Sequence, residues 1–386
     1  MKFEFIFLST YALQVLSLQC YLQKPKQPYN FRVFADVKER VSTDSVPKWA
    51  AGGLVSDFVN ALIGYKPLFK MMKPMARNVL ISNAEKKGIA WFNRASYLQS
   101  KQKALDMLLR EIENEKIIYP DYYKNDFHAY DGGNLNWLAA YECEQATLSM
   151  QLRVYPKESI TAIQAHSRLR NSIYSAIKSF RDQHYPESES LVNILDVGCS
   201  IGLSTFSLAD AFPCAAVTGL DLSPYFLAVA KYRQQEIMKK EHQGIADLTP
   251  SYPGFSFTSD VSRVKWLHAA AENTQLPTSE YDLINLGFVC HELPQKPIRE
   301  ILAEMFRIQK PGGVIALTDN DPQSEVIQNL PPFLFVLMKS TEPFSDQYYS
   351  LNLEDALRQV GYTDVITCAT DPRHRTIIGY KPKTEE

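Results

Sequence analysis

The stretch Ile194-Leu-Asp-Val-Gly-Cys-Ser-Ile-Gly-Leu-Ser-Thr205 constrains this chain more than any other. An apolar, β-branched run from Val192 to Val197 ends at a carboxylate, Asp196, and two glycines, and a helical pattern follows from about Leu203 to Ala211. Strand, glycine turn and helix in that order form the junction where an open α/β sheet binds a nucleotide-like ligand. Gly198 and Gly202 let the backbone approach such a ligand and take positive φ. The first N–H groups of the helix then face the site unpaired. The spacing Gly198-Cys-Ser-Ile-Gly202 is not the dinucleotide fingerprint, which needs three glycines in G-x-G-x-x-G. A second apolar strand, Ala215 to Asp221, ends in a carboxylate about 20 residues past the turn, where a ribose diol would be held. Ser223 and Pro224 read as N-cap and first residue of the next helix.

Further landmarks follow in register. Val264 to His268 reads as a third strand, followed by Ala269-Ala-Ala-Glu272 and then Leu276-Pro277. Tyr281 to Leu286 is a fourth, central strand whose carboxyl edge carries Gly287, Phe288, His291 and Glu292. Lys310-Pro-Gly-Gly313 turns sharply into a fifth strand, Val314 to Thr318, with Asp319, Asn320 and Asp321 just beyond. Thr363 to Ala369 and Arg375 to Tyr380 close the chain as two strands.

The set resembles the class I S-adenosylmethionine-dependent methyltransferases, in particular their type 11 (UbiE-like) group. Two departures stand out: Ser200 replaces a preferred glycine, and Ala270 stands where an aspartate often precedes the Ala-Glu pair. The resemblance covers about Val192 to Lys381. It implies a Rossmann-like α/β fold with a mixed seven-stranded sheet, helices on both faces and an antiparallel final strand. It also implies S-adenosyl-L-methionine as cofactor. The residues implied to contact it are Asp196, Gly198, Ser200 and Gly202 in the turn, Asp221 and Leu222 after the second strand, Ala271 and Glu272 near the adenine, and Leu286.

Ahead of that region the chain reads as a helical extension. Helical periods run through Val55 to Leu62, Leu68 to Leu80 and Tyr97 to Glu115. Met71, Met72 and Met75 line one of them, as core or as an adaptable apolar pocket. Tyr119 to Trp137 is a loop dense in aromatics and turn-formers. Segments at this place commonly cover the cofactor cleft in the methyltransferases this chain resembles, so His128, Tyr130 and Asn134 are candidates to face it. Two helices, Trp137 to Met150 and Ile160 to Phe180, lead to the sheet, and Gln243 to Val261 reads as a polar insertion. The division is then 1–45 as a targeting segment, 46–185 as the extension and covering loop, and 186–386 as the methyltransferase domain. The first residues resemble a signal-peptide core followed by a basic stretch, as in a bipartite plastid presequence, with the cytoplasm or secretory pathway as alternatives. A buried N-terminal helix or strand is the competing reading, and loss of roughly the first 20–45 residues on processing would separate the two.

The formal net charge of −2 lacks the basic footprint of a general nucleic-acid binder. Six cysteines, scattered without a C-x-x-C pair, read as free thiols. No His, Cys, Asp and Glu cluster shows metal-ligand spacing, so no metal is expected, and the first apolar run is too short to span a bilayer. Methyl transfer is an in-line displacement that depends on positioning. A base is needed where the acceptor is a hydroxyl or an acidic carbon. His291 is the candidate base, oriented by Glu292 or by Asp319; alternatively it only caps the following helix. Aromatic cover from Phe333 to Tyr349 and from the 119–137 loop, with no arginine cluster visible, points to a small hydrophobic acceptor: aromatic, quinone-like or isoprenoid. The rival functions are a nucleotide-dependent oxidoreductase and a non-catalytic methyltransferase-like partner protein. The sequence leaves the oligomeric state open.

Overall fold

In the computed structural model of the protein, the described residues are 77–125, 130, 132–185, 190–243, 260–329 and 342–383. Several expectations fall outside them: the targeting segment, the first helices of the extension, His128, most of the 243–261 insertion and the apolar run Phe333 to Met338.

Seven strands form one sheet in the order β3-β2-β1-β4-β5-β7-β6. They are β1 Asn193–Val197, β2 Ala216–Asp221, β3 Val264–His268, β4 Tyr281–Gly287, β5 Gln309–Asn320, β6 Thr363–Ala369 and β7 His374–Tyr380. The first five are mutually parallel, and β7 lies antiparallel between β5 and β6. The mixed seven-stranded sheet implied by the resemblance is present, including its antiparallel final strand.

Strand side chains alternate between two apolar layers, as a pleated backbone requires. On β5, Ile315 and Leu317 pack on one face while Val314 and Ala316 pack on the other. Helix α8 (Gln295–Ile308) covers the first face through Ile298, Ile301, Leu302 and Met305. Helix α5 (Ala162–His184) covers the second through Leu169, Ile173, Ile177 and Phe180, a period of three and four residues. Each such buried side chain is worth about 1.5–3 kcal/mol of transfer free energy. Thr161 and Gln164 close a capping box at the start of α5.

The order reverses at β1, which has β2 on one side and β4 on the other. That switch point opens a crevice at the carboxyl ends of the strands. Over it sits a third apolar cluster, built by α2 (Trp91–Ser100), α3 (Gln102–Ile112) and α4 (Trp137–Leu152) against α7 (Pro224–Gln243); a helix through residues 77–86, α1, joins it. A buried ion network ties α2, α4 and α7: Arg94 Nε and Arg233 Nη2 each donate to Glu144 Oε2 at 2.9 Å. Both guanidinium groups and the carboxylate lie in the interior, so the network is a packed joint rather than a solvated pair.

Two expectations need correction. The single helix read over Tyr97 to Glu115 is two, broken at Lys101. No glycine or proline marks the break, which falls at Lys101, the C-cap of one helix and the N-cap of the next. Among the cysteines, Cys143, Cys199, Cys290 and Cys368 are free, but Cys214 is disulfide-bonded. Spacing along the chain carries no sign of a pairing made in three dimensions.

Candidate active site

The turn after β1 is built by residues with left-handed backbone: Gly198 at φ +67°, Ser200 at +51° and Gly202 at +84°. At Gly198 a Cβ would stand 2.4 Å from Val289 Cγ2, so only glycine fits. The Ser200 N–H donates to Asp221 Oδ2 at 2.7 Å, and the Ser223 N–H donates to Asp221 Oδ1 at 2.8 Å. Burial raises the Asp221 carboxyl to about 6, with these N–H bonds pulling against it. Each oxygen keeps a lone pair for a further donor. The Ser223 hydroxyl caps α7 by accepting from Phe226 N–H at 3.3 Å, and donates to Asn134 O at 2.7 Å, which fastens the covering loop to the second strand.

A cavity of about 510 Å³ lies over this turn, within the range of small-molecule sites. Gly198, Ser200, Asp221, Leu222, Ala271 and Glu272 all line it. So do Tyr130 and Asn134 of the covering loop, with Tyr122 and Tyr123 ahead of them. Tyr122 donates its hydroxyl to Glu272, which fixes that carboxylate at the cavity wall.

Three residues assigned to cofactor contact are placed elsewhere. Asp196 is buried beneath the turn, where its carboxylate accepts from Ser204 Oγ at 2.6 Å, Thr205 Oγ1 at 2.7 Å and Asn285 Nδ2 at 2.7 Å. It joins β1, β4 and the helix α6 (Leu203–Ala211) and does not line the cavity. Gly202 starts α6, and a Cβ there would stand 2.5 Å from Trp266 Cη2; it is a packing glycine. Leu286 alternates with Asn285 along β4 and shares the apolar layer of Ile284, so its side chain is core.

At the carboxyl end of β4 the chain turns at Phe288, φ +64°, and a single helical turn, Cys290–Glu292, brings His291 to the cavity. The His291 Nδ1–H donates to Asp319 Oδ1 at 2.8 Å and its backbone N–H donates to Asp319 Oδ2 at 3.1 Å. Of the two orienting groups considered, it is Asp319, at the end of β5, that holds the ring. Glu292 lines the cavity beside it. Burial would lower the His291 pKa, but Asp319, then Glu342 and Glu292, outweigh it and push it up to about 10. Burial, helped by the neighbouring carboxylates Glu342, Asp221 and Asp319, pushes Glu292 up to about 8. The carboxylates around the ring thus favour its protonated form.

The expected lack of arginines is overturned as well. Arg77, Arg153, Arg170 and Arg373 all line the cavity. They come from segments far apart in sequence, and nothing local in the chain groups them. His374 was missed for the same reason, whereas Tyr122 and Tyr123 belong to the aromatic-dense 119–137 loop expected to cover the cleft.

The family whose model matches the chain is described as a methyltransferase domain, type 11, over residues 195–317. That span holds the turn, Asp221, the Ala-Glu pair and His291. Residues 195–317 are a class I S-adenosylmethionine-dependent methyltransferase domain of the type 11 group. An uncharacterized methyltransferase of Synechocystis is 27% identical over 172 residues, 45% of this chain and 67% of that protein. A demethylmenaquinone methyltransferase of Listeria welshimeri is 27% identical over 128 residues, 33% of this chain and 44% of that protein. The methyltransferase match therefore spans less than half the length of the Listeria relative. Among solved structures, a sarcosine dimethylglycine methyltransferase candidate from Galdieria sulphuraria superposes with TM-score 0.40 at 12% identity, over 61% of this chain and 98% of that one. Haemonchus contortus phosphoethanolamine N-methyltransferase 2 gives TM-score 0.37 at 14% identity, over 57% and 58%.

Proposed function

We propose that this methyltransferase moves a methyl group from S-adenosylmethionine to oxygen or carbon of a small molecule with an apolar body. The observation that carries the reading is the single cavity that Gly198 and Asp221 share with the His291–Asp319 pair. The residues present fit the cofactor. Gly198 packs its bare Cα against Val289 and lines the cavity with backbone, and Asp221 holds two buried oxygens with lone pairs to spare. Gly198, Ser200 and Asp221 would hold it, with Leu222, Ala271 and Glu272 along the wall. Bound there, it supplies an electrophilic methyl on a sulfonium that departs as a neutral thioether.

The rest is positioning and one proton. Tyr122, Tyr123, Phe226 and Phe288 line the cavity and exclude water from the acceptor. These walls would hold the acceptor's nucleophilic atom against the methyl group, where positioning supplies much of the rate. The acceptor's proton would go to the His291–Glu292 pair in the fraction of molecules where that pair has itself lost a proton, a fraction that rises with pH because both groups are raised and titrate together. The relatives named demethylmenaquinone methyltransferases suggest a quinone-like ring as the apolar body. The insertion of Tyr130 and Asn134 into the cavity wall supports a cleft-covering role for the 119–137 loop.

Calorimetry with S-adenosylhomocysteine and with NAD tests the cofactor, and methyl transfer from labelled S-adenosylmethionine into a cell extract tests turnover. Binding of the first but not the second, with label in a small molecule, is expected. NAD binding alone would restore the oxidoreductase. Cofactor binding with no label transferred would leave a non-catalytic partner protein, and label in protein or nucleic acid alone would overturn the acceptor class.

A further inference from the structure

We infer that the arginine-lined end of the cavity seats an anionic oxygen group, a carboxylate or a phosphate, on the methyl acceptor. This rests on the methyltransferase reading above and narrows its substrate class from apolar to apolar with one acid. Arg170, on the cavity-facing side of α5, is only 7% exposed, yet its Nε has no hydrogen-bond partner among the described residues. Its Nη1 lies close to the end of β4, 3.6 Å from where a Cβ on Gly287 would stand. Neither Arg170 nor Arg153 forms an ion pair among the described residues. Partial desolvation, then the nearby Arg373 charge, lowers the Arg153 guanidinium, although Arg153 is an exposed residue at the cavity rim. Arg373 donates from Nε to Oδ1 of Asn320, the last residue of β5, at 3.0 Å.

Buried Asp196 feels the Arg170 charge and Tyr174 hydrogen-bonds to Arg170, but Asp196 is too far away to form an ion pair, and Nε is left for a ligand anion to satisfy. The planar guanidinium fork matches a carboxylate or phosphate with two parallel N–H bonds. The place also decides which ligand. Asp221 and the glycine turn sit over β1 and β2, whereas Arg373 lies between β6 and β7, beyond β4 and β5 in the sheet. Glu342 feels both His291 and Arg373, so the arginine end adjoins the His291–Asp319 pair rather than the ribose carboxylate. An acid held there would aim the opposite end of an acceptor at His291. The competing anion is the cofactor's own carboxylate, and the experiment separates the two.

The probes are benzoate, phenyl phosphate and benzyl alcohol, titrated into the full-length protein saturated with S-adenosylhomocysteine at fixed ionic strength. An anion is expected to bind at least tenfold more tightly than benzyl alcohol. Preference for benzoate assigns a carboxylate and preference for phenyl phosphate assigns a phosphate. Arg170→Gln and Arg153→Gln are each expected to remove that preference with S-adenosylhomocysteine affinity kept. Arg153 ends α4 outside the hydrophobic clusters, so its variant keeps the test alive where Arg170→Gln fails to fold. Arg170→Lys, with charge but no fork, should recover only part. Three equal affinities, or variants that bind anions normally, overturn the inference and leave the methyltransferase reading intact. A tenfold loss of S-adenosylhomocysteine affinity in Arg170→Gln overturns it by giving the arginine to the cofactor. Absence of S-adenosylhomocysteine binding in the unmutated protein is the distinct result that removes the function itself.

Discussion

The two ends of the cavity are built in opposite ways. The β1–β2 end is made by one contiguous stretch and the strand after it: a turn of left-handed residues, backbone N–H groups and one carboxylate, Asp221. The β4–β5–β7 end is made by single side chains from distant segments: Arg170 from α5, His291 after β4, Asp319 at the end of β5 and Arg373 before β7. The first end reads a ligand by backbone shape, and so tolerates few substitutions but announces itself in the sequence. The second reads by charge, and its members meet only through the order of strands in the sheet. Fixed cofactor chemistry suits the first construction, and an acceptor that differs between relatives suits the second.

The sharpest break between the two ends comes from the turn. Gly198→Val puts side-chain atoms where Val289 already stands, at a φ of +67° that a β-branched residue resists. S-adenosylhomocysteine binding is expected to disappear from calorimetry, while the anion-binding end, with none of its residues in that turn, keeps its fold by circular dichroism. Normal cofactor affinity in this variant would undo the account of the turn.

That asymmetry also explains what was legible. Strand, turn, helix and Asp221 are local, so their pattern carries the fold and one half of the site. The misplacements are local too, but in direction rather than position. Asp196 and Leu286 lie in the right strands, yet the pleat and the hydrogen bonds of Ser204, Thr205 and Asn285 turn the first inward, and alternation with Asn285 turns the second into the core. The arginines could not be seen because no two of Arg77, Arg153, Arg170 and Arg373 share a motif. Ion-pairing was half legible: His291 was visible as a strand-end residue, but the choice of Asp319 over Glu292 needed the β4–β5 register, Gly287 opposite Thr318.

The acceptor end should fail in turnover rather than in binding. His291→Gln removes the proton acceptor and leaves the turn alone, so kcat should fall by about 10²–10⁴ with little change in cofactor affinity. For an acceptor that must lose a proton, kcat/KM in the unmutated protein should rise with pH through about 8 and on towards about 10, where Glu292 and His291 titrate. A rate independent of pH over that range, or full activity in the variant, would make His291 a structural ligand of Asp319 only.

Asp221→Ala sharpens the other end by a smaller amount. A charge-assisted contact to both ribose hydroxyls is worth about 1.5–3 kcal/mol, so S-adenosylhomocysteine should bind about tenfold to a hundredfold more weakly. The Ser200 and Ser223 N–H groups lose their acceptor as well, so Asp221→Asn, which keeps an oxygen, should recover part of the loss. Equal affinity in all three proteins would take Asp221 out of the site.

The mildest effect is on stability, and it isolates the acceptor end without any ligand. His291 titrates near 6.5 when unfolded and is pushed up to about 10 in the folded protein. The folded state therefore holds a proton that the unfolded state has released between those values, so the contribution is complete below pH 6.5 and fades as pH rises towards 10. Glu292, raised to about 8, acts in the same direction between its ordinary range near 4.5 and 8. Cofactor-free protein should thus lose stability from pH 8 to pH 10, by on the order of 1–2 kcal/mol from His291, a Tm change of a few degrees. His291→Gln should show a shallower fall over the same interval. Lysine, cysteine and tyrosine titrations elsewhere are common to both proteins and cancel in the difference between them. Parallel curves of Tm against pH would mean that the Asp319 pairing adds nothing to the folded state, and would return His291 to an ordinary neutral imidazole, free to act as a base at pH 7.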